Sequence, residues 1–332
     1  MLPLVDVAPW LDPAAAEVDR RDAARRLDQA CRRFGFVRIS GHGVDSELLT
    51  SLTSLAREFF ALPEATKAEV AMARGGAAWR GWFPVGAELT SGHPDGKEGL
   101  YFGEELDPDD PRVRAGTPLH GPNLFPVTPA ELGEAVIAWM GAMTALGQSL
   151  LAALASGLGL SEQWFVTHVT ARPTTLFRIF HYPPHRGGVD DWGVREHTDY
   201  GLLTILAQDG TGGLEVHAPD GWITVPADPG VFVVNLGDML ERMTKGLYRS
   251  TPHRVRNDSD EGRLSLPFFL DPSWDAEVTP MPVQPLDPTD ASMGRPRWDG
   301  ADVHAWDGTY GEYLTAKVTK VFPHLMADLP TS

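Results

Sequence analysis

The chain has 332 residues, of which 42% are hydrophobic, and its formal net charge is −17. So large an apolar share supports a sizeable buried core and excludes a disordered chain, while the length suits one large domain or two smaller ones. The acidic balance speaks against nucleic acid or an anionic lipid surface as the main partner, since both select clustered positive charge.

In chain order, residues 1–10 are neither basic nor a long apolar run, so no signal peptide is expected. Residues 18–34 place Val18, Leu27, Ala30, Cys31 and Phe34 on one helical face, which makes Cys31, the single cysteine, a buried core thiol. One cysteine builds neither a disulfide framework nor a thiolate zinc cage. Residues 35–40 read as a short strand closed by Gly41-His42-Gly43. Leu48, Leu49, Leu52, Leu55, Phe59 and Phe60 form a second helical stripe that ends before Pro63. Residues 73–126 are rich in Gly and Pro, but Trp79, Trp82, Phe83, Tyr101 and Phe102 demand burial, so packed loops and short strands are expected. A long helix should start near Pro129 and run towards Leu158. No run of about 18 uninterrupted apolar residues occurs, so no membrane span is expected and the protein is read as cytoplasmic.

After residue 170 the apolar period shifts from 3.6 towards 2. Strands are predicted at 175–181, 202–208, 214–217, 222–224, 231–235, 253–256 and 263–269, with turn signals such as Pro183-Pro184, Gly212-Gly213 and Asp220-Gly221 between them. Short strands at this spacing predict a sandwich or barrel of the jelly-roll type. Pro280, Pro282, Pro285, Pro288 and Pro296 then stiffen an irregular segment, and a last helix is predicted over 309–322. No repeat, low-complexity tract or linker is visible. Residues 1–332 therefore read as a single domain: a mainly helical part over 1–170, a β core over 171–275, and a loop with a C-terminal helix over 276–332.

The sharpest chemical feature is His197-Thr198-Asp199, followed by His253. Residues i and i+2 of a strand point to the same side, so His197 and Asp199 can reach one metal from a strand or its end. His253, at the start of another predicted strand, can complete one face of an octahedron. Two neutral imidazoles and one carboxylate suit ferrous iron and leave three positions for substrate-derived ligands and dioxygen. With eleven histidines in the chain, such a pair carries little weight alone. Arg263-Leu264-Ser265 adds to it. Arg263 offers a planar fork of donors for a carboxylate, Ser265 adds a hydroxyl, and Tyr182 can donate a further hydrogen bond. By itself Arg263 would read as a structural ion pair; beside the metal-ligand set it reads as the anchor of a co-substrate.

These segments, His197-Thr198-Asp199-Tyr200-Gly201, Asn235-Leu236-Gly237-Asp238, Thr251-Pro252-His253-Arg254-Val255 and Arg263-Leu264-Ser265, resemble the isopenicillin-N-synthase-like family of non-haem iron(II), 2-oxoglutarate-dependent dioxygenases. Gly35-Phe36, Gly41-His42-Gly43, Tyr182-Pro183-Pro184 and Gly212-Gly213-Leu214-Glu215-Val216 extend the likeness over roughly residues 3–325. The resemblance implies a mixed α and β fold with a double-stranded β-helix (jelly-roll, cupin-like) core and flanking N-terminal and C-terminal helices. It implies His197, Asp199 and His253 as the iron ligands and catalytic centre, with Arg263 and Ser265 on the distal carboxylate of 2-oxoglutarate and Tyr182 assisting. The reaction it implies consumes dioxygen and 2-oxoglutarate, releases succinate and carbon dioxide, and hydroxylates a small organic molecule. One departure stands out: Phe180 occupies a position where many members carry a polar residue such as Asn.

Two other readings stay open at this point. Some members of the family hold a substrate carboxylate with the same Arg-x-Ser pair and cyclise or desaturate without 2-oxoglutarate. A non-catalytic metabolite-binding protein with this barrel is a third possibility. Trp82, Phe83, Glu88, Tyr101, Trp192 and the stretch after Met281 are candidates for substrate contacts; the substrate and the oligomeric state are not legible. His181 and His185 are separated by prolines that forbid a helical metal pair. No nucleotide-binding glycine loop or serine-nucleophile elbow is present. Asn235 and Asp238 read as shaping a turn near the site.

Overall fold

The structure, a computed structural model, describes residues 1–184, 192–257, 259–283, 297–300 and 302–321. His185, Pro285, Pro288, Pro296 and Phe322, which enter the expectations above, lie outside the described residues. The strands are β1 (Leu4–Asp6), β2 (Phe36–Ser40), β3 (Gly81–Phe83), β4 (Leu89–Thr90), β5 (His93–Pro94), β6 (Glu98–Gly103), β7 (Pro173–Tyr182), β8 (Trp192–His197), β9 (Leu203–Gln208), β10 (Leu214–Ala218), β11 (Gly221–Thr224), β12 (Phe232–Leu236), β13 (His253–Arg256) and β14 (Arg263–Ser273). The helices are α1 (Ala8–Leu11), α2 (Glu17–Phe34), α3 (Ser46–Phe60), α4 (Glu64–Lys67), α5 (Pro111–Arg114), α6 (Leu132–Gly157), α7 (Trp164–His168), α8 (Asp238–Met243) and α9 (Tyr310–Val321).

One sheet runs in the order β1-β2-β12-β9-β14-β7-β6-β3, and a second in the order β11-β10-β13-β8. Their ladders are antiparallel except for the β1–β2 pair. The result is a mixed α and β fold with a jelly-roll core. The alternation of β14 shows why this sequence builds it. Leu264, Leu266, Phe268 and Leu270 are buried on one face, and Leu270 meets α6 at Gly147, where an added Cβ would lie 3.3 Å from the leucine side chain. The intervening residues Arg263, Ser265, Pro267, Phe269 and Asp271 line a cavity on the other face. A two-residue period thus splits one strand into a packing face and a chemical face.

The N-terminal helices cover the packing face. α2 carries Glu17 and Asp19 in its first turn and Arg32 and Arg33 in its last, an arrangement favoured by the helix dipole. It ends at Gly35 (φ +62°), where a side chain would meet the Arg249 carbonyl and Thr251. Val18 lies exposed and not on the buried face, whereas Leu27, Ala30 and Cys31 are buried as expected. α6, at 26 residues, is by length and composition the one described helix that could cross a membrane. Here its Leu132, Val136, Trp139, Met143, Leu150 and Leu151 are buried in the protein core. Within the Gly- and Pro-rich segment, all of β6 is buried, between β3 and β7. β8, which carries His197, and α8 were not predicted as elements.

Candidate active site

His197 ends β8 and His253 opens β13, and the two stand directly opposite each other in the β8–β13 ladder. Asp199 follows β8 by two residues. Its Oδ1 lies 3.9 Å from His197 Nε2 and 3.8 Å from His253 Nε2. One ligand atom from each of the three lies within 4.8 Å of the other two, which is the spacing that a single metal ion requires.

Each of the three is held from behind. His197 Nδ1 donates to the Arg195 carbonyl at 2.8 Å, and His253 Nδ1 donates to the Thr251 carbonyl at 3.2 Å. A carbonyl only accepts, so both protons sit on Nδ1 and both Nε2 lone pairs face inward. Asp199 Oδ2 accepts from Thr204 Oγ1 at 2.5 Å and from Asn235 Nδ2 at 2.7 Å, which turns Oδ1 towards the imidazoles. Phe36 packs edge-on against His253 with ring centroids 5.2 Å apart. Asn235 thus orients the Asp199 carboxylate; it does more than shape a turn.

The electrostatics match the geometry. Burial lowers the pKa of His197. Burial, with His197 alongside, lowers that of His253 to about 4. Burial alone would raise Asp199, but the two imidazoles and the hydrogen bonds from Asn235 and Thr204 outweigh it and hold the carboxyl below its usual range. The set is therefore two neutral imidazoles and one carboxylate, the protonation a metal ligand needs.

A cavity of about 430 Å³ extends from this centre into the barrel, a size typical of small-molecule pockets. Arg263, Ser265 and Tyr182 all line it. Arg263 is 0% exposed. Its Nε donates to the Gly212 carbonyl and its Nη2 reaches Gln208 Oε1 at 3.4 Å, but Nη1 is buried with no hydrogen-bond partner among the described residues. A buried guanidinium with an unpaired donor, on a residue that lines a cavity, suits an anionic group. The donor set and this orphaned Nη1 both fit a ferrous ion chelated by an oxo acid that ends in a second carboxylate. At the departure from the family pattern, Lys97 Nζ lies 4.7 Å over the Phe180 ring and 2.7 Å from Glu88 Oε2. Sequence reading did not find Lys97; its only signal is a lysine next to a buried strand.

Of the candidates for substrate contact, Glu88 lines the cavity. Trp82, Phe83, Tyr101 and Trp192 do not. Trp82 Nε1 donates to Glu98 at 2.9 Å, Phe83 packs on Tyr101, and Trp192 stacks under Arg254 with the guanidinium carbon 4.4 Å from its ring. From α9, Leu314, Lys317, Val318 and Val321 join the lining, none of them expected.

A jelly roll that gathers two imidazoles and a carboxylate at one point of a cavity, with a buried arginine in the same cavity wall, fits the class of non-haem iron oxygenases with an oxo-acid co-substrate. The chain belongs to the 2OG-Fe(II) oxygenase superfamily, whose family model matches residues 173–272. A second family model, described as the N-terminal region of a non-haem dioxygenase in morphine synthesis, matches residues 2–128. A Dictyostelium discoideum protein named as a probable iron/ascorbate oxidoreductase is 43% identical, the match covering 98% of this chain and 95% of that protein. A 1-aminocyclopropane-1-carboxylate oxidase of the same organism is 34% identical over 97% of this chain and 95% of its own length. Among solved structures, a 2OG-Fe(II) oxygenase family protein of Caulobacter crescentus superposes with a TM-score of 0.77 at 28% identity, covering 96% of this chain and 98% of that one. The protein is accordingly an iron(II)- and 2-oxoglutarate-dependent oxidoreductase.

Proposed function

We propose that His197, Asp199 and His253 are the iron ligands, and that Arg263 and Ser265, with Tyr182, hold the distal carboxylate of 2-oxoglutarate. The observation that carries this reading is the convergence of three ligand atoms within 4.8 Å beside an arginine whose Nη1 has no partner. When bound, ferrous iron with 2-oxoglutarate supplies dioxygen activation and the oxidising power for an unactivated C–H bond. The chain supplies the rest. Thr204 and Asn235 aim Asp199, the Arg195 and Thr251 carbonyls fix the imidazole tautomers, and Arg263 offsets the buried charge of the co-substrate. The product set is a hydroxylated small organic molecule with succinate and carbon dioxide.

Residues 1–332 act as one catalytic unit in this proposal, which draws support from β1 and β2 sharing a sheet with the strands of the barrel. The partner is a small-molecule substrate, not nucleic acid or membrane. The setting is cytoplasmic, in keeping with a ferrous centre and a single, buried thiol. The test is anaerobic titration of the iron(II) protein with 2-oxoglutarate, read as a visible metal-to-ligand charge-transfer band. The band is expected for the native chain and absent from His197→Ala; a native protein without the band rules the reading out.

An oxidase of the same fold that cyclises or desaturates without 2-oxoglutarate is a second reading, favoured by the oxidase and iron/ascorbate names among the relatives. Succinate formed in step with product decides for the first reading, and product without succinate for the second.

A further inference from the structure

The cavity holds a second arginine with idle donors. Arg178 lies on β7, and its guanidinium is flanked by the rings of Tyr101 and Phe269, with the guanidinium carbon 4.1 and 4.9 Å from their centroids. Those rings hold its plane. It lines the same cavity as the three metal-binding side chains. Even so, its Nε is buried without a partner, and the one carboxylate oxygen within ion-pair distance among the described residues is Glu88 Oε1, 3.6 Å from Nη1. That is beyond hydrogen-bond reach. Glu88 also has a cation and a donor of its own. Lys97 Nζ lies 2.7 Å from Oε2, and the Tyr101 hydroxyl donates to Oε1. A structural ion pair with Glu88 therefore explains neither the geometry of Arg178 nor its free donors.

Position separates Arg178 from the co-substrate anchor. Arg263 pairs in register with Tyr182, four residues along β7 from Arg178, a span of roughly 13 Å along a strand. Asp199 lies at the other end. It is held by Thr204, which pairs in register with Phe269, one of the two rings that flank Arg178. A co-substrate that chelates the metal at one end and meets Arg263 at the other runs away from Arg178. The guanidinium is left beside the reacting centre, facing whatever molecule enters last. Lys317 and Lys320 line the same cavity, and Asp299, also in the lining, is taken up by Arg297 at 2.8 Å.

We propose that Arg178 is a specificity-determining residue that binds a carboxylate of the substrate in a two-pronged hydrogen-bonded pair, so that the enzyme acts on carboxylic acids. This rests on the assignment of Arg263 to 2-oxoglutarate. A guanidinium pre-oriented by two rings presents the fork that a carboxylate matches and a neutral ester does not.

The test uses the iron(II) and 2-oxoglutarate holoenzyme under anaerobic conditions. It is titrated with a panel of amino acids, aryl acetates and fatty acids, each paired with its methyl ester, and the perturbation of the charge-transfer band is read. At least one acid should shift the band, and its ester should bind at least ~10-fold more weakly. Arg178→Met should remove that discrimination with 2-oxoglutarate affinity unchanged, and Arg178→Lys should keep part of it. Three results overturn the proposal: no acid shifts the band, esters bind as well as acids, or Arg178→Met weakens 2-oxoglutarate itself. A native protein that shows no band with 2-oxoglutarate is a different failure, that of the co-substrate assignment.

Discussion

Arg263 and Tyr182 face each other in register across the β14–β7 ladder, with the guanidinium carbon 4.7 Å from the centroid of the phenol ring. The ring supports the arginine from one side and the Gly212 carbonyl from another, so the unpaired Nη1 is held in place before any ligand arrives. A preordered donor loses little entropy on binding, which suits the pair to the carboxylate-anchoring role proposed for it.

Removing that donor should cost 2-oxoglutarate binding specifically. Truncating one partner of a buried charge pair costs roughly 2 to 5 kcal/mol, so Arg263→Ala should raise the 2-oxoglutarate dissociation constant ~30-fold or more. Arg263→Lys, which keeps the charge and loses the fork, should fall between. Isothermal titration with 2-oxoglutarate checks both, and unchanged affinity in Arg263→Ala would show the anchor to lie elsewhere.

Asn235 donates to Asp199 Oδ2 at 2.7 Å and, among the described residues, makes no hydrogen bond to His197 or His253. Partners of this kind are worth about 10 to 100-fold in metal affinity. Asn235→Ala should weaken iron(II) binding by that factor and also lower the stability of the metal-free protein by about 1.5 to 3 kcal/mol, the worth of a buried hydrogen bond to a charged group. Competition against a chromogenic chelator measures the affinity. Native affinity in the variant would mean that Thr204 alone orients the carboxylate.

Asp271 gives the protein a pH signature. Burial pushes its pKa up to about 7, against hydrogen bonds from the Tyr310 hydroxyl and the Leu202 amide that favour the charged form. Between the usual carboxylate range and pH 7 the native state keeps a proton that the unfolded chain has lost. The stabilisation is therefore complete at low pH and disappears as the pH rises through 7, on the order of 1 kcal/mol per unit. Asp271→Asn should flatten the dependence of urea stability on pH between 5 and 8. An unaltered slope in the variant would mean that Asp271 is ionised throughout.

Gly201 lies two residues after Asp199, where a Cβ would overlap the Asp271 carboxylate. Gly201→Ala should therefore destabilise the fold by about 1 to 3 kcal/mol and lower iron occupancy by shifting the loop that carries Asp199. Combining it with Asp271→Ala should recover part of the loss, because the clash partner is gone. Strictly additive losses in a double-mutant cycle would argue against this contact.

The candidate metal-binding set and the proposed anchor could be picked out of the sequence because their chemistry dictates residue type and spacing. An HxD pair, a later histidine and an Arg-x-Ser pair each follow strand periodicity, and the structure brings His197, Asp199 and His253 together and places Arg263, Ser265 and Tyr182 on one cavity wall. The strand β8 escaped notice because Trp192 to His197 alternates poorly, with two adjacent buried positions at Gly193 and Val194. The aromatic residues of the 73–126 segment could not be sorted from sequence, because a large ring in a loop has the same sequence appearance whether it packs inward or lines a pocket. Trp82 and Tyr101 pack behind the wall and hydrogen-bond to Glu98 and Glu88.

Local pattern determined the helices, the short β strands and the identity of the groups able to bind metal and carboxylate, since each depends on side chains a few positions apart. What only the tertiary structure decided is which distant side chains meet at the reacting centre. Lys97, Arg178, Asp271 and Lys317 come from separate parts of the chain and carry no shared motif, yet all line one cavity. Charge, burial and hydrogen-bond supply at such a point depend on neighbours that only the closed sheets bring within a few ångströms, and no periodicity along the chain encodes them.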